Sequence, residues 1–275
     1  MPQGSGGRAV KRQYVLLVLA AALIAIPGAA RGYRLDESWR KSFPVKEGAE
    51  FVLTNASGSI LIDGWDESRI DVTAEIHIKS PSKSKSRQLF EGIRFADESD
   101  GSRVAIEAQL PKIRQDVFFG SRTGQHTSIK ILYRVKVPRH TPLKIRTVEG
   151  DIMVKTVAGT FELHTDRGLI VAWFLDGDGT IETGDGSVDV GFKQFPATGK
   201  LSIRAAGRPL YLSIPGSTGA DIDAEAVNGG VHVDIPAGHL AEMKRGHWTG
   251  RLNGGGATIR LHTVSGEIYI RQSVP

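Results

Sequence analysis

The 275-residue sequence contains no cysteine. This absence excludes disulfides, lipid attachment through an N-terminal cysteine, thiolate metal sites and cysteine nucleophiles. Any stability outside the cytoplasm must therefore come from the core alone. Long apolar runs are scarce as well, because only one occurs, close to the N-terminus. We therefore expect the rest of the chain to be soluble.

Without residues 1–30, the chain also has almost no excess of positive over negative charge. The chain has 35 basic and 30 acidic residues, and residues 1–30 hold three of the basic ones and none of the acidic ones. The remaining 275 − 30 = 245 residues therefore carry a net charge of 32 − 30 = +2. A nucleic-acid-binding protein should show a clustered basic stripe, whereas these charges are interspersed. We expect no nucleic-acid partner.

The N-terminal residues have the order of a secretory signal peptide. Three basic residues precede an apolar run over residues 14–26, and Pro27-Gly28-Ala29-Ala30 follows. This order predicts export, with cleavage after Ala30, to the periplasm, the cell surface or the medium. An uncleaved membrane anchor is the alternative, although an anchor needs about 20 apolar residues and this run is shorter. Membrane attachment is expected only if cleavage fails.

Glycine is abundant, with 33 residues, and its placement is regular. From Thr147 onward a short phrase recurs, in which a glycine precedes a strand with apolar residues at every second position. Its copies include TVEGDIMV, TVAGTFEL, TGDGSVDV and TVSGEIYI. The step from Gly150 through Gly159 to Gly168 is nine residues, which fits one short strand plus a tight turn. Two such steps would form one coil of a β-solenoid.

The N-terminal half is also predicted to be β, with one short helix. Residues 70–78 alternate cleanly as IDVTAEIHI. A helix is expected over residues 82–92 with Ser82 as its cap, followed by a hairpin over residues 94–109. We predict a signal peptide at residues 1–30, an irregular N-terminal β region at 31–140 and a β-strand-repeat domain at 141–275, hence an all-β protein.

Three features together resemble a known family. They are the opening FVLTNASGSILIDGWD with the strand IDVTAEIHI, the strand ILYRVKVP, and the glycine-punctuated repeats. They are similar to the bacterial β-strand-repeat domains called "putative adhesin", over residues 43–271. The resemblance implies a right-handed β-solenoid-like stack and a cell-envelope location. An insertion over residues 237–256, which contains His239, His247 and Trp248, departs from the family's pattern.

No catalytic motif stands out, because the nucleophile elbow, the H-E-x-x-H helix and the P-loop are all missing. We expect no enzymatic activity, no cofactor and no metal. The strongest contrary candidate is a set of carboxylates that could cleave a polysaccharide or bind calcium. Its members are Asp176, Asp178, Glu182, Asp185 and Asp189. We favour turns, because Asp-Gly pairs suit tight turns and Thr180 interrupts the calcium-loop spacing.

Binding is the remaining class of function. If successive strands alternate between two sheets, Tyr211, His232 and Tyr269 fall on the outer face of one sheet, where planar side chains could stack on sugar rings. Phe118 and Phe119 offer a separate apolar tip. An ordinary outer face with scattered aromatic residues is the alternative interpretation.

The predicted function is an exported binding or adhesion module of the cell envelope, with a glycan or a surface molecule as its partner. One alternative is a structural or regulatory envelope protein that acts through self-association. The other is a polysaccharide-processing enzyme, which would require the aspartates to converge.

Overall fold

The computed structural model describes residues 32–112, 127–235 and 240–273. The predicted signal peptide, Phe118, Phe119 and His239 lie outside the described residues. Among those described, no helix is both long enough and apolar enough to cross a membrane. One short helix occurs in these ranges, and most other residues are in strands, so the predicted all-β class is confirmed.

The elements in chain order are β1 (Tyr33–Pro44), β2 (Glu50–Ser57), β3 (Ile60–Trp65), β4 (Arg69–Ser80), α1 (Lys83–Gly92), β5 (Arg94–Ser99), β6 (Arg103–Gln109), β7 (Ser128–Pro138), β8 (Leu143–Glu149), β9 (Ile152–Lys155), β10 (Phe161–Arg167), β11 (Ile170–Asp176), β12 (Gly179–Asp185), β13 (Val188–Gln194), β14 (Lys200–Ala205), β15 (Leu210–Ile214), β16 (Ala220–Ala226), β17 (Val231–Asp234), β18 (Leu240–Lys244), β19 (His247–Leu252), β20 (Ala257–Thr263) and β21 (Ile268–Gln272).

Two large sheets enclose one apolar core. The ten-stranded sheet has the order β1-β4-β7-β3-β9-β11-β13-β15-β21-β17, and the eleven-stranded sheet has the order β18-β19-β16-β20-β14-β12-β10-β8-β2-β6-β5. From β8 to β15 consecutive strands alternate between the two sheets, and neighbours within each sheet pair in parallel. Period-2 alternation places the branched apolar side chains inward, so Ile152 and Val154 are buried and Met153 is only half-buried.

Three copies of the glycine phrase, at Gly150, Gly168 and Gly186, form the corners where the chain passes from the eleven-stranded sheet to the ten-stranded one, and Gly159 lies at a corner in the opposite direction. Successive corners stack so closely that a Cβ atom on Gly168 would lie 2.1 Å from the carbonyl oxygen of Gly150. The hydroxyl of Thr165 donates to that same carbonyl at 3.0 Å, and Thr183 donates to the carbonyl of Gly168 at 3.0 Å. The threonine therefore satisfies a buried carbonyl of the preceding repeat, and the glycine allows the backbones to approach.

The N-terminal region differs from the repeats mainly in strand direction. β1, β4 and β7 pair antiparallel, and β5 and β6 form the predicted hairpin. Helix α1 begins after Ser82, whose side chain accepts a hydrogen bond from the backbone N–H of Lys85 at 3.2 Å, which confirms the predicted cap. Both sheets continue past residue 140, because β8 pairs with β2 and β9 pairs with β3. The division into domains at that point stays a prediction.

The described part of the insertion, from residue 240, forms a hairpin rather than an open loop. Strands β18 and β19 pair antiparallel, and β19 adds to β16. Trp248 points into the core, where it is 3% exposed, and a Cβ atom on Gly250 would collide with its ring. The insertion therefore extends the eleven-stranded sheet and supplies a large side chain to this end of the core.

Candidate functional site

Three residues predicted to share an outer face are direct neighbours there. Tyr211, Tyr269 and His232 lie on β15, β21 and β17, in register across three adjacent strands of the ten-stranded sheet. The two tyrosine rings stack with their centroids 5.0 Å apart and an interplanar angle of 9°. The His232 ring stacks on the other face of the Tyr269 ring at 4.8 Å and 15°, and Glu267 holds its Nε2 by a hydrogen bond.

The three stacked rings, of Tyr211, Tyr269 and His232, form an aromatic row, and the stacking determines which ring surfaces a ligand can contact. Parallel strands lie about 4.8 Å apart, so in-register rings cover one another's faces. The row therefore presents ring edges and hydroxyl groups to solvent, with a free ring face only at its two ends. Each stacked pair contributes about 0.5–1.5 kcal/mol to the fold. A sugar ring that stacks on an aromatic face needs a different side chain.

Trp173, on β11, provides such a face beside the row. A Cβ atom built on Gly191 of the neighbouring strand β13 would lie 2.5 Å from Cε3 of the indole. The ring therefore lies across the backbone of β13, in space that only glycine leaves open. The guanidinium of Arg271 lies 5.9 Å from the ring centroid. Trp173 is half-buried, so part of the indole remains open to solvent.

A strained aromatic residue follows Trp173 in the chain. Phe174 has a φ of 59° and is 60% exposed. It lies in a β-bulge, where the register of β11 against β13 shifts between Trp173 and Leu175. A left-handed conformation costs a residue with a side chain about 1–2 kcal/mol. Strain of this kind concentrates at functional sites, which makes the surroundings of Trp173 a candidate site.

Polar groups of both kinds lie next to the indole and the tyrosine row. Asp189 pairs in register with Tyr211, and its Oδ1 is buried with no hydrogen-bond partner among the described residues. Burial raises the pKa of the Asp189 carboxyl, and the charge of Arg271 opposes this effect. Nε of Arg271 donates to Oγ of Ser213 at 2.8 Å, and Nη2 lies 4.0 Å from the Asp189 carboxylate. An acceptor and a donor thus flank the aromatic surface.

The five carboxylates considered as a catalytic or calcium-binding cluster do not converge. Glu182 faces outward on the eleven-stranded sheet, whereas Asp189 faces outward on the ten-stranded sheet. Asp178 accepts a hydrogen bond from the backbone N–H of Lys200 at 2.9 Å, which is a turn-stabilising role. Asp176 and Asp185 end strands β11 and β12. The polysaccharide-processing alternative requires these carboxylates to converge, and this arrangement does not support it.

The outward histidines bind carboxylates rather than converging on a metal. Nε2 of His164 lies 2.7 Å from Oδ1 of Asp166, and Nδ1 of His262 lies 3.3 Å from Oε2 of Glu225. Within residues 32–112, 127–235 and 240–273, no group of three or more histidine, aspartate or glutamate side chains could hold a metal ion.

Comparisons with known proteins find distantly similar structures. No protein-family model and no curated protein matches the chain. A "putative cell adhesion protein" from Clostridium sporogenes ATCC 15579 matches with 14% identity and a TM-score of 0.46, over 86% of this chain and 100% of that one. A "putative adhesin" from Bacteroides fragilis NCTC 9343 matches with 11% identity and a TM-score of 0.37, over 86% and 97% of the two chains. A "putative lipid binding protein" from Parabacteroides distasonis ATCC 8503 matches with 11% identity and a TM-score of 0.28, over the same shares. Similarities this weak carry no argument about the function of this chain.

Proposed function

We propose that the protein is an exported, non-catalytic binding module of the cell envelope, of the adhesin kind, and that it binds carbohydrate on the outer face of the ten-stranded sheet. One observation carries the proposal. The indole of Trp173 lies across Gly191, with Asp189 and Arg271 beside it and the Tyr211–Tyr269 stack on the adjoining strands.

The chemistry of a sugar ring fits this arrangement. A pyranose has an apolar face of C–H groups and a rim of hydroxyl groups. The open part of the indole suits the apolar face, while Asp189 can accept and Arg271 can donate hydrogen bonds at the rim. Binding sites commonly combine aromatic surface with a few placed polar groups in this way. The ring edges and hydroxyls of Tyr211 and Tyr269 would contact the next sugar unit.

The same proposal includes the architecture and the export of the chain. Consecutive strands from β8 to β15 alternate between sheets, and residues paired in β8, β10 and β12 are 18 positions apart (161 − 143 and 179 − 161). This pattern supports a β-solenoid, whose right-handed sense follows from the family resemblance. The basic residues and apolar run at the N-terminus support export. N-terminal sequencing of the protein recovered from cells tests cleavage after Ala30.

The first experiment combines a glycan array with a cell-wall pull-down, using the purified protein, and records product release in the same samples. Retention without product release supports the binding module. Replacing Trp173 by Ala should then weaken binding at least about tenfold, since central aromatic contacts each carry more than about 1 kcal/mol.

A matched control exists on the same outer face. Trp65 is also a half-buried tryptophan, but two cations lie over its ring, the guanidinium of Arg69 at 4.6 Å and Nζ of Lys136 at 5.3 Å, against the single and more distant guanidinium of Arg271 at 5.9 Å over Trp173. Trp65→Ala should therefore leave binding unchanged. Equal losses for the two variants, or no retention on any glycan, would refute carbohydrate binding at Trp173.

Self-association is a second candidate, favoured by one edge of the ten-stranded sheet. β17 is the last strand, and its outer edge has no partner strand in the described part of the chain. The free face of the His232 ring lies at that edge. Unpaired edges can template assembly. Concentration-dependent sedimentation would support this candidate, and a single monomeric species at all concentrations would remove it.

A further inference from the structure

A groove of about 590 Å³ lies on the outer face of the eleven-stranded sheet, opposite the Trp173 site. It runs over β14 and β20, with β12 and β16 at its sides. Its floor is low because short hydroxyl side chains, Ser202 and Thr258, alternate there with long ones. Arg260 pairs in register with Ser202, and Lys200 pairs with Thr258. Two cations and two hydroxyls therefore interleave on adjacent strands.

Lys200 and Arg260 differ from the other cations around the groove. Nη1 of Arg204 lies 2.9 Å from Glu182, and Nε of Arg251 lies 2.6 Å from Asp221. Lys200 and Arg260 are exposed and form no ion pair with any residue that the structure describes. Their charges are therefore available to a ligand, and their positions on neighbouring strands bring both within reach of one small anionic group.

The far side of the groove restricts which anion fits. Asp223 and Glu225, on β16, also line it, and Asp223 pairs in register with Arg260. Each has a histidine partner, since Nε2 of His247 lies 2.7 Å from Asp223 and Nδ1 of His262 lies 3.3 Å from Glu225. A phosphate or sulfate dianion carries twice the charge of a sugar carboxylate, so these carboxylates would repel it more strongly at close range. Sugar hydroxyls, by contrast, would donate hydrogen bonds to them.

From this combination we infer that the groove is a second carbohydrate site, selective for acidic sugars of the uronic acid class. The sugar carboxylate binds Arg260 and Lys200, and the ring hydroxyls bind Asp223 and Glu225. Arginine suits this role because its planar guanidinium can donate two parallel hydrogen bonds to the two oxygens of one carboxylate. The groove lies on the other sheet from Trp173, so this inference does not depend on the function proposed there.

Isothermal titration calorimetry of the purified protein with trigalacturonic acid tests the inference, with a neutral galactose trisaccharide as comparator. We expect binding of the acidic trimer that weakens as NaCl is raised, and at least about tenfold weaker binding of the neutral trimer. Arg260→Gln should weaken binding of the acidic trimer at least about tenfold, because a charge-assisted contact is lost.

Arg251→Gln is the matched control, since this exposed arginine is already paired with Asp221 on a neighbouring strand. It should keep the affinity of the unmodified protein. Three results would each overturn the inference: no binding of the acidic trimer at millimolar concentration, equal affinity for the neutral trimer, or equal effects of the two arginine substitutions. Urea unfolding of each variant checks whether the fold is retained.

Discussion

Replacing Gly168 by alanine should be among the most damaging single-methyl changes in this fold. Gly168 occupies a corner between the sheets, directly over the corresponding corner at Gly150. Its φ is 151°, a conformation that side-chain-bearing residues rarely adopt. The added Cβ atom would lie 2.1 Å from the carbonyl oxygen of Gly150. Backbone strain and a backbone clash therefore act together at this position.

The magnitude follows from these two effects. Such Cβ contacts are essentially never closer than 3.0 Å, so the stacked corners would have to separate by 3.0 − 2.1 = 0.9 Å. Overpacking of this kind costs about 1–3 kcal/mol, and a strained φ costs about 1–3 kcal/mol. We expect Gly168→Ala to lower the free energy of unfolding by about 2–6 kcal/mol, since neither effect can relax without disturbing the hydrogen bond from Thr165.

Two other glycines separate the effects. Gly101 has a φ of 82° but nothing within 4 Å of an added Cβ atom, so Gly101→Ala tests strain alone. At Gly186 the φ lies outside the range that residues with side chains rarely adopt. An added Cβ atom would nevertheless lie 1.8 Å from the Gly168 carbonyl oxygen, so Gly186→Ala tests the clash alone. Urea unfolding followed by circular dichroism gives all three values. If Gly168→Ala cost no more than Gly101→Ala, the close stacking of the corners would be wrong.

Three further predictions concern buried or partly buried polar groups. Thr165→Val should lower the free energy of unfolding by about 1 kcal/mol, because the hydroxyl donates to the Gly150 carbonyl. Thr147→Val should be neutral or stabilising in the same urea assay, because the buried hydroxyl of Thr147 has no hydrogen-bond partner among the described residues; a larger loss than at Thr165 would contradict this. Burial raises the pKa of the Asp189 carboxyl, so the folded state resists its ionisation. Asp189→Asn should therefore stabilise the fold at neutral pH, and the gain should vanish below the unfolded pKa of about 3.9; a gain that grows on acidification would refute this sign.

Much of the fold follows from local periodicity. The period-2 alternation identified the strands and their buried faces. The cap at Ser82 identified helix α1 because a capping hydrogen bond spans only a few residues. The shared outer face of the aromatic row was also predictable, since alternation between sheets places Tyr211 and Tyr269 at equivalent outward positions, although β15 and β21 are far apart in the chain. What the sequence could not show is that the rings stack on one another, because that depends on register in three dimensions.

Trp173 was missed because the space that its ring occupies is left open by Gly191, which lies on a different strand. The bulge after Trp173 also concealed its exposed neighbour Phe174. Counted by strict alternation from Ile170, Phe174 would point inward and Leu175 outward. The structure has the reverse, with Leu175 buried and Phe174 60% exposed, since one extra residue in a strand inverts every later position. A signal for the site did exist in the sequence. Gly191 stands 191 − 173 = 18 positions after Trp173, the same step that separates paired residues in neighbouring strands.

This spacing explains why a search for motifs finds little in such a chain. Inward-facing residues and corner glycines fix the fold, so the outward positions are free to carry function. Outward neighbours on one sheet, however, come from different repeats: Trp173 meets Gly191, and Ser202 meets Arg260 although strands β15 to β19 lie between them in the chain. In-register residues on neighbouring strands of one site are therefore 18 or more positions apart, and together they form no continuous motif. The lack of a local signature is what a binding surface built across strands would produce, so it argues only against sites formed by consecutive residues.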